Sequence, residues 1–182
     1  MRHLLLLAPF TLILAGSVPI ANAFPEKEFL TDKEIAKIQD AQEIDERIKI
    51  YLNAATLRLK TAEERLTGTE PEPGDPLEFF TPEDLIDGYY RIIRSVMFNL
   101  DEASQKPKGD WEKLGKALKS LKGTAESAGK ELEILKKIAE EKQKEELWKL
   151  VNNAMDITNG AHEGAEYGLS KQPAPPEKKK KR

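Results

Sequence analysis

The sequence predicts an all-α protein, an antiparallel bundle of four long helices. Two observations support this fold class. Between Asp110 and Ala139 the apolar residues recur in alternating steps of three and four over four heptads, a period that forms one buried seam on a helix and that no strand shows. The flanking segments carry apolar stripes of the same period, which can cover that seam. The seam residues are Trp111, Leu114, Leu118, Leu121, Ala125, Ala128, Leu132, Leu135 and Ala139.

The first 23 residues have the order of a secretory signal peptide. Arg2 precedes an apolar run from Leu4 to Gly16, and Ala21 and Ala23 frame a small-x-small cleavage site. The run has about 13 residues, fewer than the roughly 17 to 25 that cross a bilayer, so cleavage after Ala23 is predicted rather than a membrane anchor. The chain has no Asn-x-Ser/Thr site, which favours a bacterial envelope. We therefore expect a periplasmic or secreted protein.

The first helix is predicted over residues 31–67. Thr31 can cap the free N–H groups of the first turn, and Glu34 can complete a capping box. The apolar face then runs without interruption from Ile35 to Leu66, and Gly68 is a good stop. At about 1.5 Å per residue such a helix is roughly 50 Å long. It therefore needs neighbours along its whole length.

The second helix is predicted over residues 81–105, after a connector rich in proline and glycine. Pro82 takes the first helical position, where its missing N–H costs nothing. Pro107 and Gly109 end the helix. Because the connection that follows is short, the second and third helices are expected to be antiparallel neighbours.

The third helix, residues 110–140, and the fourth helix, residues 145–167, are separated by a predicted turn. The apolar spacing changes phase between Ala139 and Leu147, and residues 140–146 include no apolar side chain. The alternative is one continuous helix of about 60 residues, roughly 87 Å long, with Gln143 in the core.

The mature chain is predicted to hold one helical domain, residues 24–169, and a tail, residues 170–182. Its 159 residues, 182 less the 23 of the signal peptide, suit one domain, and without cysteine its stability must come from packing. The tail is Pro-rich and then basic, so we expect disorder. From Lys171 onward it holds six basic residues and one acid, against 22 basic and 31 acidic residues in the rest of the mature chain. The basic cluster comprises Lys178, Lys179, Lys180, Lys181 and Arg182.

No catalytic residue is predicted. After the signal peptide the chain has one histidine, His162, and no cysteine. It lacks the nucleophile elbow of hydrolases, the phosphate-binding loop and the dinucleotide fingerprint. Composition and motifs therefore argue against an enzyme.

His162 and Glu166 lie four residues apart on one helix face, a spacing that could chelate a metal. A di-iron bundle site needs histidines from two helices, so a chain with one histidine excludes it. A haem held by His162 and a methionine, Met97 or Met155, remains an alternative. A solvated histidine near a helix end is the simpler interpretation, and no metal site or cofactor is predicted.

A stripe of small residues runs along the fourth helix. Gly160, Gly164 and Gly168 lie four apart, and Ala161 and Ala165 lie beside them. Each glycine costs a helix about 1 kcal/mol relative to alanine. Either the helix frays here, or it packs closely within the protein, or a partner approaches its backbone. These five residues are the candidate partner-binding site.

The basic cluster is a second candidate site, for an anionic surface. Lysine and arginine attract anionic lipids, acidic polymers and nucleic acids through charge alone. No aromatic residue interleaves with them, so a nucleic-acid partner is not expected. The alternative is a solvated tail that keeps the protein soluble.

Two segments resemble a chaperone signature. Leu30–Glu34, with the sequence LTDKE, and more loosely Phe80–Asp84, with the sequence FTPED, look like the Leu-Thr-x-x-Gln motif of periplasmic stress chaperones, which are small secreted helical proteins. Glu and Asp stand where the family has Gln, and the match covers ten residues. The resemblance implies chaperone-like activity as an alternative function.

The predicted function is binding without catalysis. We expect a secreted or periplasmic helical protein that binds another protein or an anionic envelope component and does not span the membrane after signal cleavage. A chaperone-like bundle, or one that binds a ligand, metal or haem, is the alternative. The heptads could equally form the seam of a dimer, so the sequence leaves the oligomeric state open.

Overall fold

The computed structural model describes residues 28–106 and 110–172, and these segments contain five helices and no strand. The prediction of an all-α fold is confirmed. None of the helices in the described segments combines the length and the apolar character needed to cross a membrane. The predicted signal peptide and the basic cluster lie outside the described residues. The helices are α1 (Asp32–Asp40), α2 (Ile44–Leu66), α3 (Pro82–Ser104), α4 (Trp111–Glu141) and α5 (Glu145–Ser170).

Helices α2 to α5 form a bundle in which α3 and α4 lie diagonally opposite each other. Both α2 and α5 pack against α3 and against α4, whereas α3 and α4 touch only slightly. Lys144, just before α5, pairs with Glu83 at the start of α3 at 3.3 Å. Lys113, at the start of α4, pairs with Glu43 just before α2 at 2.6 Å. The neighbours α3 and α5 are therefore parallel, as are α2 and α4.

The second and third predicted helices correspond to α3 and α4, which run antiparallel as predicted, but the prediction that they are neighbours is wrong. Six connecting residues can reach about 20 Å. The diagonal of a bundle whose helices lie about 10 Å apart is only about 14 Å. A short connection therefore limits the separation of two helices without deciding whether they are adjacent.

The first predicted helix is two helices, so the prediction of one helix over residues 31–67 is wrong, and five helices replace the predicted four. Ala41, between α1 and α2, is extended and buried, and its carbonyl accepts a hydrogen bond from the Arg47 guanidinium at 3.0 Å. The break allows a tertiary contact between Glu34 and Arg58, 24 residues later. In one continuous helix these residues would lie about 36 Å apart. α1 instead folds back along α2.

The turn predicted between the last two helices is confirmed. α4 ends at Glu141 and α5 begins at Glu145, and the exposed Gln143 between them has a left-handed φ of 52°. The N–H of Lys144 donates to the carbonyl of Ala139 at 2.9 Å, which closes the helix without glycine or proline. A continuous helix with Gln143 in the core is therefore excluded.

The seam predicted on α4 lies at the centre of the core. Eight of its nine residues are buried, and the exception is Trp111, which is 43% exposed. The alanines that the sequence placed in the core are buried too, which lets the helices approach closely. They are Ala55, Ala62, Ala125, Ala128, Ala154 and Ala161.

A buried ion pair attaches α1 to the bundle. Arg58 is 1% exposed, and its guanidinium contacts both carboxylate oxygens of Glu34, at 2.5 and 2.6 Å. It also donates to the carbonyl oxygens of Phe29 and Ala54, at 3.0 and 3.1 Å. The carboxylate in turn accepts the N–H of Thr31 at 2.8 Å. One carboxylate thus completes a helix cap and neutralises a buried cation, while α1 itself has no fully buried residue.

Replacing Glu34 by alanine should lower the free energy of unfolding by about 3 kcal/mol, because it leaves the Arg58 guanidinium buried without a counter-ion. Urea denaturation followed by circular dichroism measures this loss. Glu64→Ala is the matched control, since it removes an exposed pair with Lys60 at 3.7 Å. That variant should lose less than about 1 kcal/mol. Equal losses in the two variants would contradict the role of the buried pair.

The same pair predicts a loss of stability in acid. Burial acts to raise the pKa of the Glu34 carboxyl, but hydrogen bonds from Arg58 and Thr31 outweigh it and hold the pKa below its ordinary value. The contribution of the pair is therefore complete above the unfolded pKa of about 4.3 and is lost as the pH falls through the folded value. Urea denaturation at a series of pH values should show the wild-type protein losing more stability below about pH 4.3 than Glu34→Ala. Parallel curves would count against this assignment.

Candidate functional site

An apolar groove opens at the end of the bundle where the C-termini of α3 and α5 meet the N-terminus of α4. Its volume is about 680 Å³. We call it the terminal groove. Its lining residues lie between Met97 and Ser104 in α3, between Trp111 and Leu121 in α4, and between Ala161 and Gly168 in α5, and Lys171 just after α5 completes the lining.

Small residues of α5 form the floor of the terminal groove. Ala161 and Ala165 are buried, and Gly164 has no atom within 4 Å of the position that a Cβ would take. At Gly168 a Cβ would lie 3.0 Å from a methyl group of Leu118. A larger side chain at residue 164 would therefore enter the groove, and one at residue 168 would press on α4.

The predicted stripe thus has two environments. Four of its five residues line the terminal groove, whereas Gly160 lies outside the lining and also has open space around its Cβ position. Because α5 continues to Ser170, the glycines do not end the helix. Close internal packing occurs at Gly168, and an open surface occurs at Gly164.

Three aromatic side chains border the terminal groove. Phe98 is 69% exposed, Tyr167 is 66% exposed and Trp111 is 43% exposed, and all three line the groove. Single exposed apolar residues are ordinary, but several grouped around a concave surface are typical of a binding site. Phe98 and Tyr167 were not predicted as site residues, because they fall outside the apolar stripes, and Trp111 was predicted in the buried seam. The available signal was that each is a large apolar residue near a helix end.

Two charged residues, Asp101 and Lys171, line the terminal groove. Asp101 belongs to α3, and its carboxylate accepts a hydrogen bond from the side-chain amide of Gln105 at 2.9 Å. Lys171 follows α5, and its ammonium lies 5.2 Å from the centre of the Tyr167 ring. One acidic group and one basic group therefore line a groove that is otherwise mostly apolar.

His162 and Glu166, the pair whose spacing could chelate a metal, lie outside the terminal groove, and each has its own partner. A ring nitrogen of His162 lies 3.2 Å from a carboxylate oxygen of Glu126 in α4. Glu166 pairs with Lys122 at 2.7 Å, and the Lys122 ammonium holds the pKa of this carboxyl below its ordinary range. Both residues thus connect α5 to α4. In residues 28–106 and 110–172 no cluster of three or more potential metal-ligating side chains occurs.

The methionines of the haem alternative lie in different surroundings from His162. Met97 lines the terminal groove, and His162 does not. Met155 is partly buried against the hydrophobic core. The structure thus does not bring His162 and Met97 together in this cavity.

A second cleft, between α2 and α4, has a similar volume of about 660 Å³. Its lining is mostly hydrophilic and includes Lys49, Asn53 and Lys119. Glu131 also lines it, and burial and the nearby Glu63 raise the pKa of this carboxyl. The polar lining distinguishes this cleft from the terminal groove.

The segments that resemble the chaperone signature form helix caps. The hydroxyl of Thr31 accepts the N–H of Glu34 at 3.3 Å, and the hydroxyl of Thr81 accepts the N–H of Asp84 at 3.1 Å. Each acid accepts the threonine N–H in return. The acid that replaces the family's glutamine is therefore used as a capping group.

Compared with known proteins, the chain matches no protein-family model, no curated protein and no solved structure. Its function is therefore inferred from the terminal groove.

Gly164→Leu should block the terminal groove without unfolding the protein, because the position is open and leucine favours a helix over glycine by about 1 kcal/mol. Binding of the apolar dye ANS, measured by fluorescence titration, should weaken about fivefold or more. Gly160→Leu is the matched control, since it makes the same change on the same helix outside the groove. Dye binding that falls equally in both variants, or in neither, would contradict the assignment of the groove.

Proposed function

We propose that this protein is a non-enzymatic periplasmic or secreted binding protein that holds an apolar helical segment of another protein in the terminal groove. The observation that supports the proposal is the set of exposed aromatic side chains around a floor of small residues. Phe98, Trp111 and Tyr167 offer apolar surface at the rim, and Gly164 leaves the backbone of α5 open to close approach.

The dimensions of the groove suit a short helix. Its floor follows α5 from Ala161 to Lys171, about 15 Å at 1.5 Å per residue. This length matches about three turns of a partner helix, which present apolar anchors at positions i, i+3 or i+4, and i+7. The anchors would pack against the rim, and the partner backbone would lie over Gly164.

The chemistry of the lining favours binding over catalysis. Apart from Asp101, Ser104, Lys171 and the polar tips of Trp111 and Tyr167, the lining is apolar. Affinity would therefore come chiefly from removing apolar surface from water. The charged groups at the rim would set the orientation of the partner.

Two further parts of the proposal, export from the cytoplasm and contact with an anionic envelope component, are supported by the sequence alone. The signal peptide supports export, and the basic cluster supports contact with an anionic envelope component. The side-chain amide of Gln172 donates to the carbonyl of Trp111 at 3.2 Å. The last described residue therefore lies beside Trp111 of the groove lining, and we propose that the basic cluster holds the protein and its bound partner near an anionic surface.

Photo-crosslinking in the native envelope tests the proposed function. With p-benzoylphenylalanine in place of Phe98, we expect an adduct with another protein. Introducing Gly164→Leu should abolish the adduct, and Gly160→Leu should preserve it. Phe79 is 79% exposed and is the control position for the photoreactive group. The same adduct from position 79, or an adduct that survives Gly164→Leu, would overturn the proposal.

A further inference from the structure

We infer that residues 173–182 of the same chain cover the terminal groove when no partner is bound, with residues 173–176 over the aromatic side chains of the rim. We call residues 173–182 the covering segment. The inference rests on the proposed function, because it concerns regulation of the same groove. Three observations carry it: the position at which the described chain ends, the composition and length of the segment that follows, and the charge of α3 at the groove.

The described chain ends against α4, at the edge of the terminal groove. Lys171 lines the groove, and the side-chain amide of Gln172 donates to the carbonyl of Trp111. The side chain of Gln172 also occupies the space that a Cβ at Gly115 would need. The absence of a side chain at Gly115 thus leaves the room in which Gln172 packs on α4. The covering segment therefore starts beside Trp111, within the lining of the groove.

The covering segment begins with the composition of a ligand for an aromatic groove. Residues 173–176 have the sequence PAPP. Because proline fixes its own φ, such a segment loses little conformational entropy when it docks. Proline-rich segments bind grooves that are lined by aromatic side chains. Phe98, Trp111 and Tyr167 provide such side chains around the terminal groove.

The length of the covering segment suffices to cross the groove. An extended proline-rich chain advances about 3.1 Å per residue, so residues 173–176 span about 12 Å. Neighbouring helices of a bundle lie about 10 Å apart. Four residues therefore lead from the edge formed by α4 and α5 to the wall formed by α3. The six residues that follow can then lie along the end of α3.

The end of α3 is acidic, whereas the end of the covering segment is basic. Asp101, which lines the groove, and its neighbour Glu102 are both exposed. The last turn of α3 holds no basic residue, so these carboxylates add to the partial negative charge of a helix C-terminus. The basic cluster, residues 178–182, supplies the complementary charge. Charge thus favours the orientation in which the proline-rich residues lie over the groove.

Attachment to the edge of the groove makes weak contacts sufficient. A tethered segment has an effective concentration in the millimolar range, so it can cover a groove that a separate peptide of the same sequence would bind poorly. A partner helix can displace it by burying more apolar surface. An anionic surface that binds the basic cluster would draw the same residues away from α3. Contact with the envelope would therefore open the groove.

Photo-crosslinking of the purified mature protein identifies the occupant of the groove. With p-benzoylphenylalanine in place of Phe98, we expect an intramolecular adduct with residues 173–182, located by mass spectrometry of the digested protein. The exposed Phe79 is the control position and should give no such adduct. An adduct between two copies of the chain, or no adduct with the covering segment, would overturn the inference.

Replacing the three prolines tests the contact without changing the length or the charge of the chain. Pro173→Ser, Pro175→Ser and Pro176→Ser together should strengthen the binding of ANS about threefold or more, because the dye no longer competes with the covering segment. The same replacement should have no effect in Gly164→Leu, where leucine fills the groove, and should keep its effect in Gly160→Leu. Unchanged dye binding in the wild-type background, or a gain that persists in Gly164→Leu, would contradict the inference.

Vesicles test the release of the covering segment by an anionic surface. Phosphatidylglycerol vesicles, which are anionic, should lower the yield of the intramolecular adduct at least twofold. Phosphatidylcholine vesicles carry no net charge and should leave the yield unchanged. Equal yields with the two lipids would overturn the link between the anionic surface and the opening of the groove.

The combined results separate this inference from the proposed function. If the purified protein gives no intramolecular adduct but position 98 still crosslinks to another protein in the envelope, the inference is overturned and the proposed function stands. If the intramolecular adduct forms but no adduct with another protein appears in the envelope, even from the variant without the three prolines, the proposed function is overturned and the covered groove stands.

Discussion

The volume of the side chains on the buried face of α5 determines where the bundle closes and where it stays open. Along α5 the buried side chains are large near the N-terminus, at Leu147 and Val151, and mostly small toward the C-terminus, at Ala154, Ala161 and Ala165, with Thr158 as the exception. Protein interiors are close-packed, so missing volume must either draw helices together or open to solvent. At Gly168 the helices have come together, with Leu118 filling the space, and at Gly164 the space opens as the terminal groove. The terminal groove is therefore a result of the same packing that forms the core.

The features that could be predicted from the sequence are those that arise from short-range interactions along the chain. The seam on α4, the caps at Thr31 and Thr81 and the turn before α5 each depend on residues that are close in the chain. The break after α1 could not be predicted in this way, because the apolar period continues through Ala41, whereas the ion pair that attaches α1 to the bundle involves the distant Arg58. The diagonal placement of α3 and α4 was missed for the same reason, since a connection length allows either arrangement.

The candidate site was predicted in part. The glycine stripe identified the floor, because glycines four apart within a helix weaken it and indicate a close approach. The rim could not be predicted, since an exposed aromatic residue at a helix end has no characteristic periodicity. Trp111 shows most clearly what periodicity cannot predict. It occupies a heptad position of the seam, but it is partly exposed because it lies at the end of the bundle. Periodicity indicates which face of a helix points inward, but it does not show how far along the helix a neighbour extends.

The order of the helices also bears on how the chain folds. The pairs α2–α3 and α4–α5 are hairpins of consecutive helices with many mutual contacts, and such local contacts form early and fast. The contacts of α2 with α4 and of α3 with α5 join one hairpin to the other across longer stretches of chain. The terminal groove spans this junction, since one wall comes from α3 and the remainder from α4 and α5. A partner that fills the groove therefore holds the two hairpins together, and its binding would slow their separation during unfolding.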